Sequence, residues 1–233
     1  MHKRGLSHIE FIISFVIFMG FLIFGFYFFN PLDSNRVLDS SLFYTRDAIS
    51  RNASSTLVSY SLVISNPPSE NVAVSLSKGR ASGKGVRIEA SSGQKLMCAL
   101  DGENSVFSLS SNRFVVVSFG DFLPCEDEIA EPVFLKYPED YSISSSDEKI
   151  ILSEYRLRLV NESYWTDYDN LKKQFNLPGR IDFLFSVAFS DSDKIIAERA
   201  IPEDIEVLSD IKRTEVIRMD GSRAYADIAV AVW

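Results

Sequence analysis

The sequence predicts an α+β protein: an N-terminal transmembrane helix, then a mostly antiparallel β ectodomain containing one long amphipathic helix at about 153–176. Three observations carry this. Phe11 to Phe29 contains no charged residue, and about 20 apolar residues suffice for a helix to cross a hydrocarbon core roughly 30 Å thick. From residue 57 onward, short segments alternate apolar and polar residues between turns rich in Gly, Pro, Asn and Ser, the period of half-buried strands. Leu157, Val160, Tyr164, Tyr168, Leu171 and Phe175 recur at three- and four-residue spacing, which is one stripe of a helix.

The apolar run is longer than the core of a cleavable secretory leader. Its far side, Tyr27-Phe28-Phe29-Asn30-Pro31, offers no small residues for a signal peptidase. His2, Lys3 and Arg4 precede it, whereas Asp33, Arg36 and Asp39 follow. The positive-inside bias then predicts a single-pass protein of the cell membrane, its N-terminus cytoplasmic and its C-terminal domain extracellular. Glu10 stands where the run begins, and a carboxylate entering a membrane helix costs about 2.5–3.5 kcal/mol and calls for a partner.

Pro31 interrupts the helix. Val37, Leu38, Leu42, Thr45, Ala48 and Ile49 then predict an amphipathic helical extension over 31–52. Strands are expected at 57–64, 72–76, 86–90, 95–100, 105–109 and 113–119, and the Gly/Ser/Lys run at 77–85 reads as a hairpin loop. Residues 120–149 carry Pro124, Pro132, Pro138, an acidic cluster at 126–128 and 131, and serines at 142 and 144–146. This reads as an irregular connection within the β-rich domain 53–233, which is then either one lobe or two divided there. Ser153 is placed to cap the long helix, which Pro178-Gly179 stops. Strands follow at 181–189 and 194–200, then a hairpin pairs 212–219 with 223–233 across Asp220-Gly221. In its second strand Ala226, Ile228, Val230 and Val232 share one face, which predicts burial.

Composition excludes several functions. The formal charge is −8, which argues against nucleic acid as a partner. The two histidines are His2 and His8, so the ectodomain has no Ser-His-Asp or Cys-His catalyst and lacks the usual zinc ligand. The acidic cluster lacks the spacing of a calcium loop. No enzyme activity, no metal and no cofactor is expected. Cys98 and Cys125 are an even pair in a chain read as exported, which predicts a disulfide. Asn52-Ala-Ser54 and Asn161-Glu-Ser163 fit the N-glycosylation sequon.

Basic residues, a glycine, a hydrophobic residue, then glutamate five positions after the glycine and an apolar helix together resemble the class III leader of type IV pilins and pseudopilins. The residues are Lys3, Arg4, Gly5, Leu6 and Glu10. Where the family usually has phenylalanine first in the mature chain, Leu6 stands here. The resemblance implies that 1–5 is a cytoplasmic leader removed by a membrane prepilin peptidase between Gly5 and Leu6. It also implies that 6–30 first anchors the subunit and then packs into a filament core. The new amine at Leu6, mostly protonated at neutral pH with a pKa of about 8, would face Glu10 from within the subunit or from a neighbour. The implied partners are the membrane, the peptidase, other pilin-like subunits, and an assembly platform with its ATPase. The order of Tyr-rich helix, Leu-Pro, strand and Asp-Gly hairpin is also similar to ectodomains of archaeal pilin-like proteins. The function expected is a structural subunit, minor or pseudopilin-type, of a type IV pilus-like surface filament. The alternative is a single-pass, membrane-anchored adhesion protein that does not polymerise.

Overall fold

The structure is a computed structural model that describes residues 5–28, 34–68, 70–76, 85–101, 104–108, 112–121, 123–125, 129 and 132–233. Lys3, Arg4, Pro31, most of the run at 77–85 and the acidic cluster lie outside these. The chain begins with helices α1 (Gly5–Phe28) and α2 (Ser34–Ala53) and continues through strands β1 (Ser54–Ile64), β2 (Asn71–Ser75), β3 (Gly85–Ala90), β4 (Cys98–Asp101), β5 (Asn104–Ser108) and β6 (Phe114–Gly120). Next come β7 (Val133–Phe134), β8 (Tyr141–Ser153), α3 (Glu154–Thr166), α4 (Tyr168–Gln174), β9 (Phe183–Phe189), β10 (Lys194–Ala197), β11 (Leu208–Ile217) and β12 (Arg223–Val232).

Twelve strands among the described residues form an eight-stranded sheet, ordered β10-β9-β12-β11-β8-β1-β6-β3, and a four-stranded sheet, β4-β5-β2-β7. Neighbours are antiparallel except β11 with β8 and β2 with β7. One face of the large sheet is covered in two ways. At the β10 end, Phe183, Phe185, Val187, Ile228, Val230 and their neighbours pack with Ala48 and Ile49 of α2 and with Leu157, Tyr164 and Leu171 of α3 and α4. At the β3 end, Val58, Leu62, Ile88, Val117 and Phe119 pack against Val72 and Val74 of β2, Cys98 of β4 and Phe107 of β5. Within β12 the buried positions Ala226, Ile228, Val230 and Val232 alternate with exposed Tyr225 and Asp227.

The fold class expected from the sequence is corrected on two points. First, among the described residues no helix is long and apolar enough to cross a membrane. The transmembrane helix, the single-pass placement with a cytoplasmic N-terminus, and the cell-membrane localisation are not carried by the structure. Second, the long helix expected at 153–176 is two helices. Asp167, at φ −147° and ψ 60°, separates α3 from α4. Among the described residues the architecture is therefore mostly β, in two sheets, with four helices.

Tertiary hydrogen bonds account for that break. Tyr164 donates to the Phe183 carbonyl at 2.7 Å and Tyr168 to Asp182 Oδ1 at 2.9 Å, while the Phe183 N–H donates to the Tyr168 hydroxyl at 3.1 Å. Turning the chain at Asp167 brings both rings onto one residue of β9, edge-on at 5.3 Å for Tyr164 and stacked at 5.5 Å for Tyr168. Ser153 stands at the N-cap of α3 but makes no side-chain cap bond.

The segment read as an irregular connection holds β8, which pairs antiparallel with β1 from Ser54↔Leu152 to Ile64↔Tyr141. Alternation hides this strand, because it is exposed through most of its length. The Cys98–Cys125 disulfide is present, with Cα atoms 5.1 Å apart. It ties β4 of the small sheet to the segment after β6. That segment returns so closely over β3 that a Cβ on Gly85 would lie 2.3 Å from the Leu123 nitrogen.

Two predictions follow from this packing. Loop closure over a separation of 27 residues contributes about 3.5 kcal/mol on the chain-entropy estimate. A Cys98→Ser/Cys125→Ser double variant is therefore expected to lose about that much in urea unfolding under non-reducing conditions, and unchanged stability would show that the bridge constrains nothing. Burial, partly offset by Arg199, pushes the Tyr164 hydroxyl up to about 12. The unfolded hydroxyl ionises near 10, so the folded state keeps a proton that the unfolded state releases, and stability falls from about pH 10 to about pH 12. Tyr164→Phe should flatten that fall in alkaline titrations followed by circular dichroism, while costing about 1 kcal/mol at neutral pH for the lost hydrogen bond.

Candidate functional site

The residues singled out from the sequence fall in four places. Gly5 and Leu6 open α1, with side chains outside those described, and Glu10 lies one to two turns further on, exposed. Asn52 is the penultimate residue of α2. Asn161 lies in the middle of α3. The cysteines join the small sheet to its neighbouring loop. The structure brings Cys98 and Cys125 together and leaves Asn52 and Asn161 on separate helices.

The most unusual surface is that of α1. Every large apolar side chain described on it is exposed, with Phe11 71% and Phe21 72% accessible and Ile9, Ile13, Phe15, Ile17, Phe18 and Ile23 each more than half so. These positions occupy all sides of a helix with about 3.6 residues per turn. Most amphipathic helices of a globular protein turn an apolar stripe to the core and a polar one to water, and α2 does so, burying Leu38, Thr45, Ala48 and Ile49 while exposing Asp39 and Arg51. A helix apolar all round is stable only when something surrounds it. Glu10 is the one charge from Ile9 to Gly25. A Cβ on Gly20 or Gly25 would meet nothing within 4 Å, so both leave open notches in the helix surface.

A second cluster was not visible in the sequence. Glu154, its side chain only 4% exposed, opens α3 and accepts at both oxygens: Oε1 from Arg158 at 2.7 Å, Oε2 from Arg218 Nε at 2.8 Å and from the Met219 N–H at 3.1 Å. Arg218 also donates to Asp191 and Asp193, each at 3.2 Å, and its guanidinium lies 4.0 Å from the centre of the Phe189 ring. Arg158 reaches Asp193 at 2.9 Å. The partners come from α3, the β9–β10 turn and the residues just after β11, separated by up to 65 positions, and no local pattern links them. Each oxygen of Glu154 is already engaged by a cation. The cluster therefore acts as a clamp that fixes the start of α3 to two hairpins, and it presents no free base or nucleophile.

Among the described residues, no group of three or more His, Cys, Asp or Glu side chains is placed to hold a metal ion. A shallow groove of about 300 Å³ runs between the end of α2 and the outer side of α3 and α4, lined by Asn52, Tyr155, Arg156, Ser163 and Gln174 and closed by Asp121. Asp121 is buried and paired with Arg156. Compared with known families, characterised proteins and solved structures, the chain matches none.

The clamp makes a definite claim about stability. Glu154→Ala would leave Arg218, itself mostly buried, facing Asp191 and Asp193 without its central carboxylate, and is expected to cost about 3 kcal/mol in chemical denaturation. A cost under about 1 kcal/mol would show the cluster to be a surface ion pair only.

Proposed function

We infer that this chain is a structural subunit, pilin-like and of the minor or pseudopilin type, that enters a type IV pilus-like filament through α1. In this reading a prepilin peptidase removes residues 1–5, and α1 then packs among the equivalent helices of other pilin-like subunits, driven by an assembly platform and its ATPase. One observation carries it. The described surface of α1 is apolar on every side and exposed, with a single charge, Glu10, near its start. Such a helix is unsatisfied in water, and a bundle of like helices would cover all of its faces at once.

The chemistry of the start of α1 agrees with this reading. A cut after Gly5 creates an α-amino group at Leu6, four positions before Glu10 and so one helical turn away. Inside an apolar bundle an unpaired carboxylate is costly, and an ammonium partner from the same or a neighbouring subunit offsets that cost. A head-to-tail contact that repeats without closing builds a fibre.

N-terminal sequencing of the protein isolated from its own cells is the decisive measurement. A mature chain that begins at Leu6, and a Gly5→Ala variant that keeps Met1, are the expected results. Glu10→Ala is expected to be processed normally yet to enter filaments at a small fraction of the wild-type level. A wild-type protein that retains its original methionine, or an E10A subunit that assembles as well as wild type, would overturn the reading.

A further inference from the structure

We propose that Asn52, and not Asn161, accepts an N-linked glycan, and that its first sugar lies in the groove between the end of α2 and the outer side of α3. The two sequons look alike as sequence, but their surroundings differ.

Asn52 is exposed, and one of its two amide hydrogens is given to the Ala48 carbonyl at 2.8 Å. A glycosylated asparagine keeps one N–H, so that bond survives modification and holds the linkage in a fixed direction. The helix ends at Ala53 and Ser54 opens β1, so the chain leaves helical geometry inside the sequon itself. The Ser54 hydroxyl donates to the Ser50 carbonyl at 2.6 Å, at the junction of α2 with β1. Asn161 shares the same i→i−4 hydroxyl bond in its sequon but differs in burial and in its place in the helix. It lies mid-helix between the core residues Leu157, Val160 and Tyr164, it is half-buried, and its Oδ1 is buried with no hydrogen-bond partner. The Ser163 hydroxyl donates to the Leu159 carbonyl at 3.0 Å within the same helix. Making Asn161 available would require unfolding α3, which carries part of the core.

The groove supplies the second, independent observation. Asn52 forms its rim, and Tyr155, Arg156, Ser163 and Gln174 give it an aromatic ring, donors and acceptors. A pyranose needs an apolar surface for its C–H face and hydrogen bonds for its hydroxyls, and a cleft of about 300 Å³ is at the small end of ligand sites. The Cys98–Cys125 bridge is of the kind that persists in oxidising compartments, where glycan transfer also occurs. In the transfer, the Asn52 amide nitrogen bonds to the anomeric carbon of an oligosaccharide carried on a polyisoprenyl phosphoester. The anomeric C–O bond breaks, its electron pair leaves with the lipid phosphate, and the nitrogen releases one proton. Nothing is oxidised or reduced. The inference does not depend on whether the chain assembles.

The test uses full-length protein purified from its native cells, with intact-mass measurement and peptide mapping. The expected result is a sugar mass on the peptide containing Asn52, lost in Asn52→Gln and Ser54→Ala, retained in Ser54→Thr, and no addition at Asn161. An unmodified Asn52, or a glycan on Asn161, would overturn the proposal. Amide exchange across 155–163 is expected to be at least several-fold slower in the glycosylated protein than in N52Q. Equal exchange would overturn the seating in the groove.

Discussion

The antiparallel pairing of β1 with β8 is the constraint on which the rest depends. Each strand is joined without a loop to a helix, β1 to α2 before it and β8 to α3 after it. The register that sets Ser54 opposite Leu152 therefore sets the end of α2 beside the start of α3. With the two helices fixed there, Ala48, Ile49 and Ala53 of α2 meet Leu157 and Val160 of α3 in the larger core. Further along the same pair, Val58, Leu62 and Ile64 of β1 lie under the four-stranded sheet. A slip of one residue would turn these side chains to the opposite face and expose both cores.

Around this pair the chain divides its hydrophobic work. The β10 end is closed by helices and aromatic rings, and the β3 end by a second sheet held through the disulfide. A third, small cluster of Leu57, Leu123, Ile151 and Ile217 lies on the other face where these parts meet. The Asp220-Gly221 turn folds over it, and Gly221, at φ 81°, approaches Arg87 so closely that a Cβ would lie 2.8 Å from its Cδ. Here glycine is required by the left-handed backbone, and a side chain would also displace Arg87. In α1 no such internal packing exists among the described side chains. That contrast between a saturated β body and an uncovered apolar helix is the observation on which the proposed assembly role rests.

Much of the fold was legible because local pattern and tertiary environment agree. Strand β3 alternates as a half-buried strand does, the other strands from β1 to β6 are marked by apolar runs between turns, and the Asp-Gly turn marks the final hairpin. Strand β8 was hidden because Ser142 to Lys149 are nearly all exposed, so its identity comes from β1 and not from its own residues. The break at Asp167 was hidden for a related reason: the helical stripe continues through it, while the hydrogen bonds from Tyr164 and Tyr168 that favour two helices reach a strand far along the chain. At the start of the chain, Gly5, Leu6 and Glu10 are legible as a linear pattern, but reading the apolar run as a bilayer span went further than the described helix supports. The clamp on Glu154 could not have been read, since charged residues are common and nothing local marks which of them converge.

Among the described strands of the large sheet, the junction of β8 with β11 is the parallel one, and it is only two residues long, at Val216↔Leu152 and Ile217↔Ser153. The β1–β8 pair, by contrast, runs almost the whole length of both strands. Because α2 passes into β1 without a loop, the end of the helix and the long β1–β8 ladder form one continuous unit. The short parallel seam has few ladder bonds of its own, and side chains hold it together instead: Lys149 of β8 pairs with Glu215 of β11 at 2.7 Å, and the Glu154–Arg218 pair ties the start of α3 to the residue after β11.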